Sequence, residues 1–114
     1  MFQILVVEDD NELRDLFCAV LTENGYTAVP AVDGIDAFDI LDETYVDLII
    51  SDIMMPRMDG FELIKALREA HYNTPVLMIT ARSSAADKRE GFRIGTDDYM
   101  VKPIDVNEMV WRVE

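Results

Sequence analysis

The sequence predicts one α/β domain, a parallel sheet covered by helices on both faces. Three observations carry that expectation. Strand-like and helix-like patterns alternate along all 114 residues. The runs Ile4–Val7, Asp47–Ser51 and Val76–Ile79 are almost wholly apolar, as strands buried on both faces must be. Chemically loaded residues follow the strand-like runs: Glu8-Asp9-Asp10, Asp33-Gly34, Asp52, Thr80-Ala81 and Lys102-Pro103. Open α/β sheets place their ligand sites at such carboxyl strand ends.

Ile4-Leu5-Val6-Val7 is short, apolar and β-branched, and reads as the first strand. Leu13, Leu16, Phe17, Val20 and Leu21 then fall at i, i+3, i+4, i+7 and i+8, an amphipathic helix. Asp10 or Asn11 can cap its start and Gly25 can close it. Thr27–Val32 reads as a strand and Ile35–Leu41 as a helix. Asp47–Ser51 is the next strand and Gly60–Ala70 the next helix. Val76–Ile79 follows as a strand, and Ser84–Phe92 as a charge-rich helix of weak periodicity. Tyr99-Met100-Val101 is a short strand. Val106, Met109, Val110 and Val113 mark a last helix. Five β/α units imply right-handed crossovers. The three most apolar strands (first, third and fourth) should lie at the centre of the sheet.

Composition limits the function. Half of the residues are apolar, enough for a real core. A net charge of −13 disfavours direct binding to nucleic acid or to an anionic membrane, whose phosphates would repel the average surface. The longest apolar run is Leu16–Leu21, six residues and too short to span a bilayer. A single cysteine, Cys18, allows no internal disulfide and suits a reducing cytoplasm. It lies within a helical apolar pattern and is expected to pack. No basic-then-apolar leader opens the chain. The last helix has no terminator before Glu114, so the domain is expected to have been cut within it.

The chemistry rests on three acids, Glu8, Asp9 and Asp52, which neighbouring strand ends would bring together. Like charges at that range repel, and a hard divalent cation relieves the repulsion. Magnesium takes one or two carboxylates, keeps several waters and leaves room for phosphate oxygens. One carboxylate can then attack a phosphoryl group and form an aspartyl phosphate. Lys102 is placed to neutralise phosphoryl oxygens, and the Thr80 hydroxyl to donate to one. Each residue alone has a plainer reading: a helix cap, a solvated strand end or a turn lysine. Their conjunction in one small α/β chain favours a phosphoryl site.

With these residues in place, the chain resembles the receiver domains of bacterial response regulators. The resemblance rests on Ile4–Asp9, Asp47–Pro56, Met58-Asp59-Gly60, Thr80-Ala81-Arg82 and Gly95–Pro103, and it covers essentially the whole chain. It implies a flavodoxin-like doubly wound sheet of five parallel strands, order 2-1-3-4-5, with five helices; receivers are among the standard examples of that order. It implies that Asp52 is the phosphoacceptor, taking phosphoryl from a sensor histidine kinase. Asp9, Asp52 and the backbone carbonyl of Met54 would hold Mg2+ (or Mn2+), with Glu8 acting through water. Lys102 would bind a phosphoryl oxygen, and its bond to Pro103 is expected to be cis. Thr80 and Tyr99 would form the switch pair, Tyr99 rotating into the space that Thr80 vacates.

Finer features resemble the winged-helix (OmpR/PhoB-type) transcription factors, whose active receivers dimerise through the 84–92 helix, the fifth strand and the last helix. By that resemblance Lys88 would pair with Glu108 across the dimer and Asp98 with Arg112, beside Asp97, while Phe92 and Trp111 form the apolar centre. Arg89 stands where an aliphatic residue is usual, so the patch is imperfect. The implied protein is a signalling switch of residues 1–114 controlling a DNA-binding domain absent from this chain. It is not a turnover enzyme.

An aspartate-nucleophile phosphohydrolase would want a second aspartate at Met54. A flavin module would want a glycine- and hydroxyl-rich loop in place of Glu8-Asp9-Asp10. A receiver-like interaction module with an inactive site would lack an acid, the threonine or the lysine, and none is missing. Met54 and Arg82 flank the expected water approach and cannot orient an attacking water, which predicts a long-lived phosphoryl state. His71, the only histidine, is expected in a solvated loop.

Overall fold

The structure, a computed structural model, describes residues 2–52, 60–80, 98–101 and 106–113; at 80, 98–101, 106–108 and 111 it describes the backbone. In chain order the elements are β1 (Gln3–Val7), α1 (Asn11–Glu23), β2 (Thr27–Ala31), α2 (Gly34–Glu43), β3 (Leu48–Asp52), α3 (Gly60–Glu69), β4 (Val76–Thr80), β5 (Asp98–Val101) and α4 (Val106–Val113). The helix expected over Ser84–Phe92 lies outside the described residues.

All strand pairs are parallel, in the order β2-β1-β3-β4-β5. The three most apolar strands are the three inner ones, as their composition requires. Alternation along each strand divides the core in two. Leu5, Val7, Ile49 and Met78 pack with Ala37 and Leu41 of α2 and with Leu63, Ile64 and Leu67 of α3. Ile4, Val6, Ile50, Leu77 and Ile79 pack with Phe17 and Leu21 of α1 and with Met109 of α4. Side chains of successive strand residues point to opposite faces, so two helix layers are the direct result.

Helix boundaries follow local chemistry. Asp10 caps α1, its Oδ1 accepting from the Leu13 N–H at 3.1 Å. Asp33 caps α2 in the same way, accepting from the Asp36 N–H at 2.9 Å. The sequence grouped Asp33 with the reactive strand ends; the structure makes it a buried helix cap. Val32, expected to end the second strand, falls just after β2 and is exposed. Asp47 precedes β3, where its Oδ2 accepts from the Gln3 N–H at 2.8 Å while its own N–H donates to the Gln3 carbonyl.

Two helices end in the same way with different residues. After α1, Gly25 N–H donates to the Thr22 carbonyl and Tyr26 N–H to the Leu21 carbonyl, with Gly25 at φ +90°. After α3, His71 N–H donates to the Arg68 carbonyl and Tyr72 N–H to the Leu67 carbonyl, with His71 at φ 66°. Both are Schellman turns, which need a left-handed residue. Glycine enters that region freely and histidine does not, so α3 ends on a strained residue. His71→Gly should therefore raise stability by about 0.5–1 kcal/mol, relief of roughly 1–2 kcal/mol of strain outweighing the entropy glycine adds to the unfolded chain. A urea titration showing no rise in midpoint would contradict this.

Candidate functional site

The sheet delivers the acids. β1 and β3 are in register from Ile4 and Leu48 to Val7 and Ser51, so Glu8 and Asp52 are the next residues in line. By parity both leave the sheet on the α1 face, following Val6 and Ile50. Glu8 and Asp52 are 2% and 4% exposed, whereas Asp9 lies in the open. One carboxylate oxygen from each of the three lies within 4.8 Å of the others. Such a set of hard oxygen donors, two of them buried, is close enough to share one metal ion.

The loop between β1 and α1 is held from several directions. Glu8 N–H donates to the Ala31 carbonyl at 3.1 Å, continuing the β1–β2 ladder past the strand's end. The Glu8 carboxylate accepts from the Asp10 N–H at 3.1 Å. Arg14, one turn into α1, donates through Nη1 to the Glu8 carbonyl at 2.7 Å and through Nη2 to Asn11 Oδ1 at 2.5 Å. Across the sheet, Ser51 Oγ donates to the Asp52 carbonyl at 2.9 Å, fixing the last peptide of β3. The sequence reading missed Arg14. A signal was present: a cation at the end of a helix's first turn opposes the macrodipole and implies a specific partner.

The other expected site residues separate by what is described. β3 and β4 pair Asp52 with Ile79, so Thr80 follows one residue beyond at the same end of the sheet. The Tyr99 backbone pairs with Met78 in β5. Asp98, Glu108 and Trp111 have their backbones in β5 and α4, and Arg112 is exposed on α4. Lys102, Pro103, Met54, Arg82, Lys88, Arg89, Phe92 and Asp97 lie outside the described residues. His71 is exposed, as its loop position predicts.

Cys18 plays no part in this cluster. It is half-buried on α1, packed against the apolar layer of Phe17 and Leu21. Burial, and after it the Asp15 carboxylate, push its thiol above the ordinary range, with Arg14 opposing. The folded chain holds that proton more tightly than the unfolded one. The thiol's contribution to stability is thus full below its ordinary range and is lost as pH rises through it. Alkylation of the native protein at pH 8 should be several-fold slower than in urea, because the thiolate is the nucleophile. Equal rates in the two states would show Cys18 to be open to solvent.

Comparison with known proteins decides the family. Residues 4–114 match the model of the response regulator receiver domain. The chain is a response regulator receiver domain. Among curated relatives, the receiver is 43% identical over 113 residues to "Transcriptional regulatory protein CpxR" of Escherichia coli (strain K12), covering 99% of this chain and 48% of that protein. It is 38% identical over 111 residues to "Response regulator MprA" of Mycobacterium sp. (strain KMS), covering 97% of this chain and 48% of that protein. The receiver thus spans about half the length of these curated relatives. They agree with the OmpR/PhoB-type resemblance read from the sequence.

Solved structures agree on the fold. The receiver domain of the Francisella response regulator 1452 superposes with a TM-score of 0.95 at 36% identity, covering 99% of this chain and 93% of that one. The chemotaxis protein CheY4 of Vibrio cholerae gives 0.93 at 34% identity, covering 99% and 96%. No helix among the described residues is long and apolar enough to cross a membrane.

Proposed function

We propose that this receiver accepts a phosphoryl group on Asp52 from the phosphohistidine of a sensor histidine kinase, with Mg2+ held by Glu8, Asp9 and Asp52. The single observation that carries the reading is the meeting of these three carboxylates within 4.8 Å at the carboxyl end of a receiver sheet. When bound, Mg2+ supplies the positive charge that lets a phosphoryl group approach three acids. The chain's own residues do the rest. Asp52 lies at the end of β3, on a backbone fixed by the ladder to β4 and by Ser51. Its carboxylate oxygen attacks phosphorus, the P–N bond to the kinase imidazole breaks, and the electron pair stays on the imidazole nitrogen. Burial of Asp52 limits access of bulk water to the acyl phosphate. Asp9 is the exposed member of the set. Lys102 and the Thr80 hydroxyl are assigned to phosphoryl oxygens, and the Met54 carbonyl to the metal.

A relative named as a transcriptional regulatory protein supports the reading of the output. The proposed whole protein carries a DNA-binding domain after this receiver and regulates transcription. Phosphorylation biases a two-state element made of Thr80 and Tyr99. The change strengthens a homodimer through the 84–92 helix, β5 and α4, using Lys88, Phe92, Asp97, Asp98, Glu108, Trp111 and Arg112. The receiver assists its own phosphorylation and dephosphorylation without turning over a metabolite. Its location is the cytoplasm, where a kinase's phosphohistidine is available.

The test is intact mass after incubation with acetyl phosphate and Mg2+, with a second sample in EDTA. The expected result is one phosphoryl group with Mg2+ and none with EDTA. If neither a phosphoryl adduct nor a beryllium fluoride complex forms with Mg2+ present, the site is inactive and the chain is an interaction module.

A further inference from the structure

We propose that Arg14 is a positioning residue for the metal site: its two-ended guanidinium clamp sets the Glu8–Asp9 peptide so that Asp9 presents its carboxylate beside Glu8 and Asp52. The inference rests on the metal-binding reading above.

Glu8 is the last residue the sheet controls. Its N–H is tied to Ala31, and beyond it the chain must leave the β1 direction, turn and enter α1 at Asn11. The Glu8–Asp9 peptide is planar, so fixing the Glu8 carbonyl also fixes the Asp9 N–H and the Asp9 Cα from which the side chain starts. Arg14 grips that carbonyl at 2.7 Å. Its other nitrogen grips Asn11 Oδ1, and Asn11 is the first residue of α1. The Arg14 backbone N–H meanwhile donates to the Asp10 carbonyl at 2.9 Å. The clamp therefore joins the residue where the sheet ends to the residue where the helix begins. Asp9, between them, is exposed, and of the three acids it is the one that burial does not hold in place. A rigid planar fork with two donors suits this task; an ammonium offers a point charge on a flexible stem.

Two effects of Arg14 on a cation oppose each other. Its positive charge repels Mg2+, and its clamp preorganises the acids for Mg2+. The guanidinium is spent on a carbonyl and an amide oxygen and is partly in solvent, where Coulomb terms are screened. Preorganisation should win. Groups that orient metal ligands are typically worth roughly tenfold or more in metal affinity.

The test compares wild type, Arg14→Met and Arg14→Lys by calorimetric titration with MgCl2 alone and by acetyl phosphate uptake across a range of Mg2+ concentration. Arg14→Met keeps the aliphatic stem and removes the donors. The expected result is about tenfold weaker Mg2+ binding in Arg14→Met. Arg14→Lys, which can reach one acceptor and not both, should fall between. The Mg2+ needed for half-maximal uptake should rise in parallel, while the rate at saturating Mg2+ stays at the wild-type value. Should Arg14→Met fail to fold by circular dichroism, Arg14→Lys carries the comparison alone. Unchanged or tighter Mg2+ binding in a folded variant would overturn the clamp, since charge repulsion alone predicts the latter. A fall in the saturating rate with no change in Mg2+ affinity would also overturn it. A wild-type protein that binds no Mg2+ would remove the metal reading and this inference together, which distinguishes the two failures.

Discussion

Asp52→Asn should take up no phosphoryl group from acetyl phosphate under conditions where the wild type takes up one. The substitution preserves size and shape, so β3 keeps its ladder to β1 and β4. It replaces an anionic oxygen by a neutral amide that cannot act as a nucleophile. Asp52→Ala, which removes the group outright, should behave identically. Asp9→Asn is the informative contrast, because it keeps the nucleophile and removes an acid from the set lying within 4.8 Å. Uptake there should slow by on the order of a hundredfold, a loss of about 2.7 kcal/mol of charge stabilisation. Intact mass against time separates the variants. Phosphorylated Asp52→Asn would move the acceptor elsewhere, and Asp9 would be the first residue to examine.

Phe17→Ala should cost about 3–5 kcal/mol of stability, the typical range for deleting an enclosed aromatic ring. Phe17 is 1% exposed on α1 and packs in one cluster with Ile4, Val6, Ile50, Leu77, Ile79 and Met109. Those residues come from β1, β3, β4 and α4, so the ring joins the inner strands to the helix layer that covers them. Domains of this kind have only about 5–15 kcal/mol in total, so the variant should be close to unfolding at 37 °C. Phe17→Leu keeps most of the volume and should cost about 1.5 kcal/mol. Urea titration reads both as a lower midpoint with an unchanged slope. A loss below about 1 kcal/mol in Phe17→Ala would mean that the layer closes over the gap with little cavity left.

Much of this molecule is legible in the chain because its signals are local and periodic. Ile4–Val7 and Val76–Ile79 are apolar at every position, and only a strand buried on both faces tolerates that. Of the stripe Leu13, Leu16, Phe17, Val20 and Leu21, all but Leu16 pack on the α1 side of the sheet; Leu16, at the edge of the stripe, is exposed. Met109 and Val113 pack on the same side from α4, and Val110 beside them is buried. Cap residues also act over three or four positions, so Gly25 could be placed from its neighbours and the α1 cap narrowed to Asp10 or Asn11, of which the structure uses Asp10. The acids at Glu8, Asp9 and Asp52 stood out because each followed a strand-like run.

Tertiary structure decided what depends on distance through space. Asp33 and Asp52 look alike in sequence, each an acid after an apolar stretch. β2 is an outer strand and Asp33 caps the helix that follows it, whereas β3 is an inner strand and delivers Asp52 beside Glu8. Strand order, a property of crossovers, separates them. His71 reads as an ordinary loop residue until the backbone shows it closing α3 in a left-handed conformation that glycine fills after α1. Arg14 reads as one charge on a polar helix face until its guanidinium is seen to join Glu8 to Asn11. By itself the sequence determined the elements among the described residues, the inner strands and the acids that follow them, since periodicity and residue type act along the chain. Which acids meet, and what holds them, was decided only when the sheet brought β1 and β3 side by side, because register and side-chain reach are set by packing.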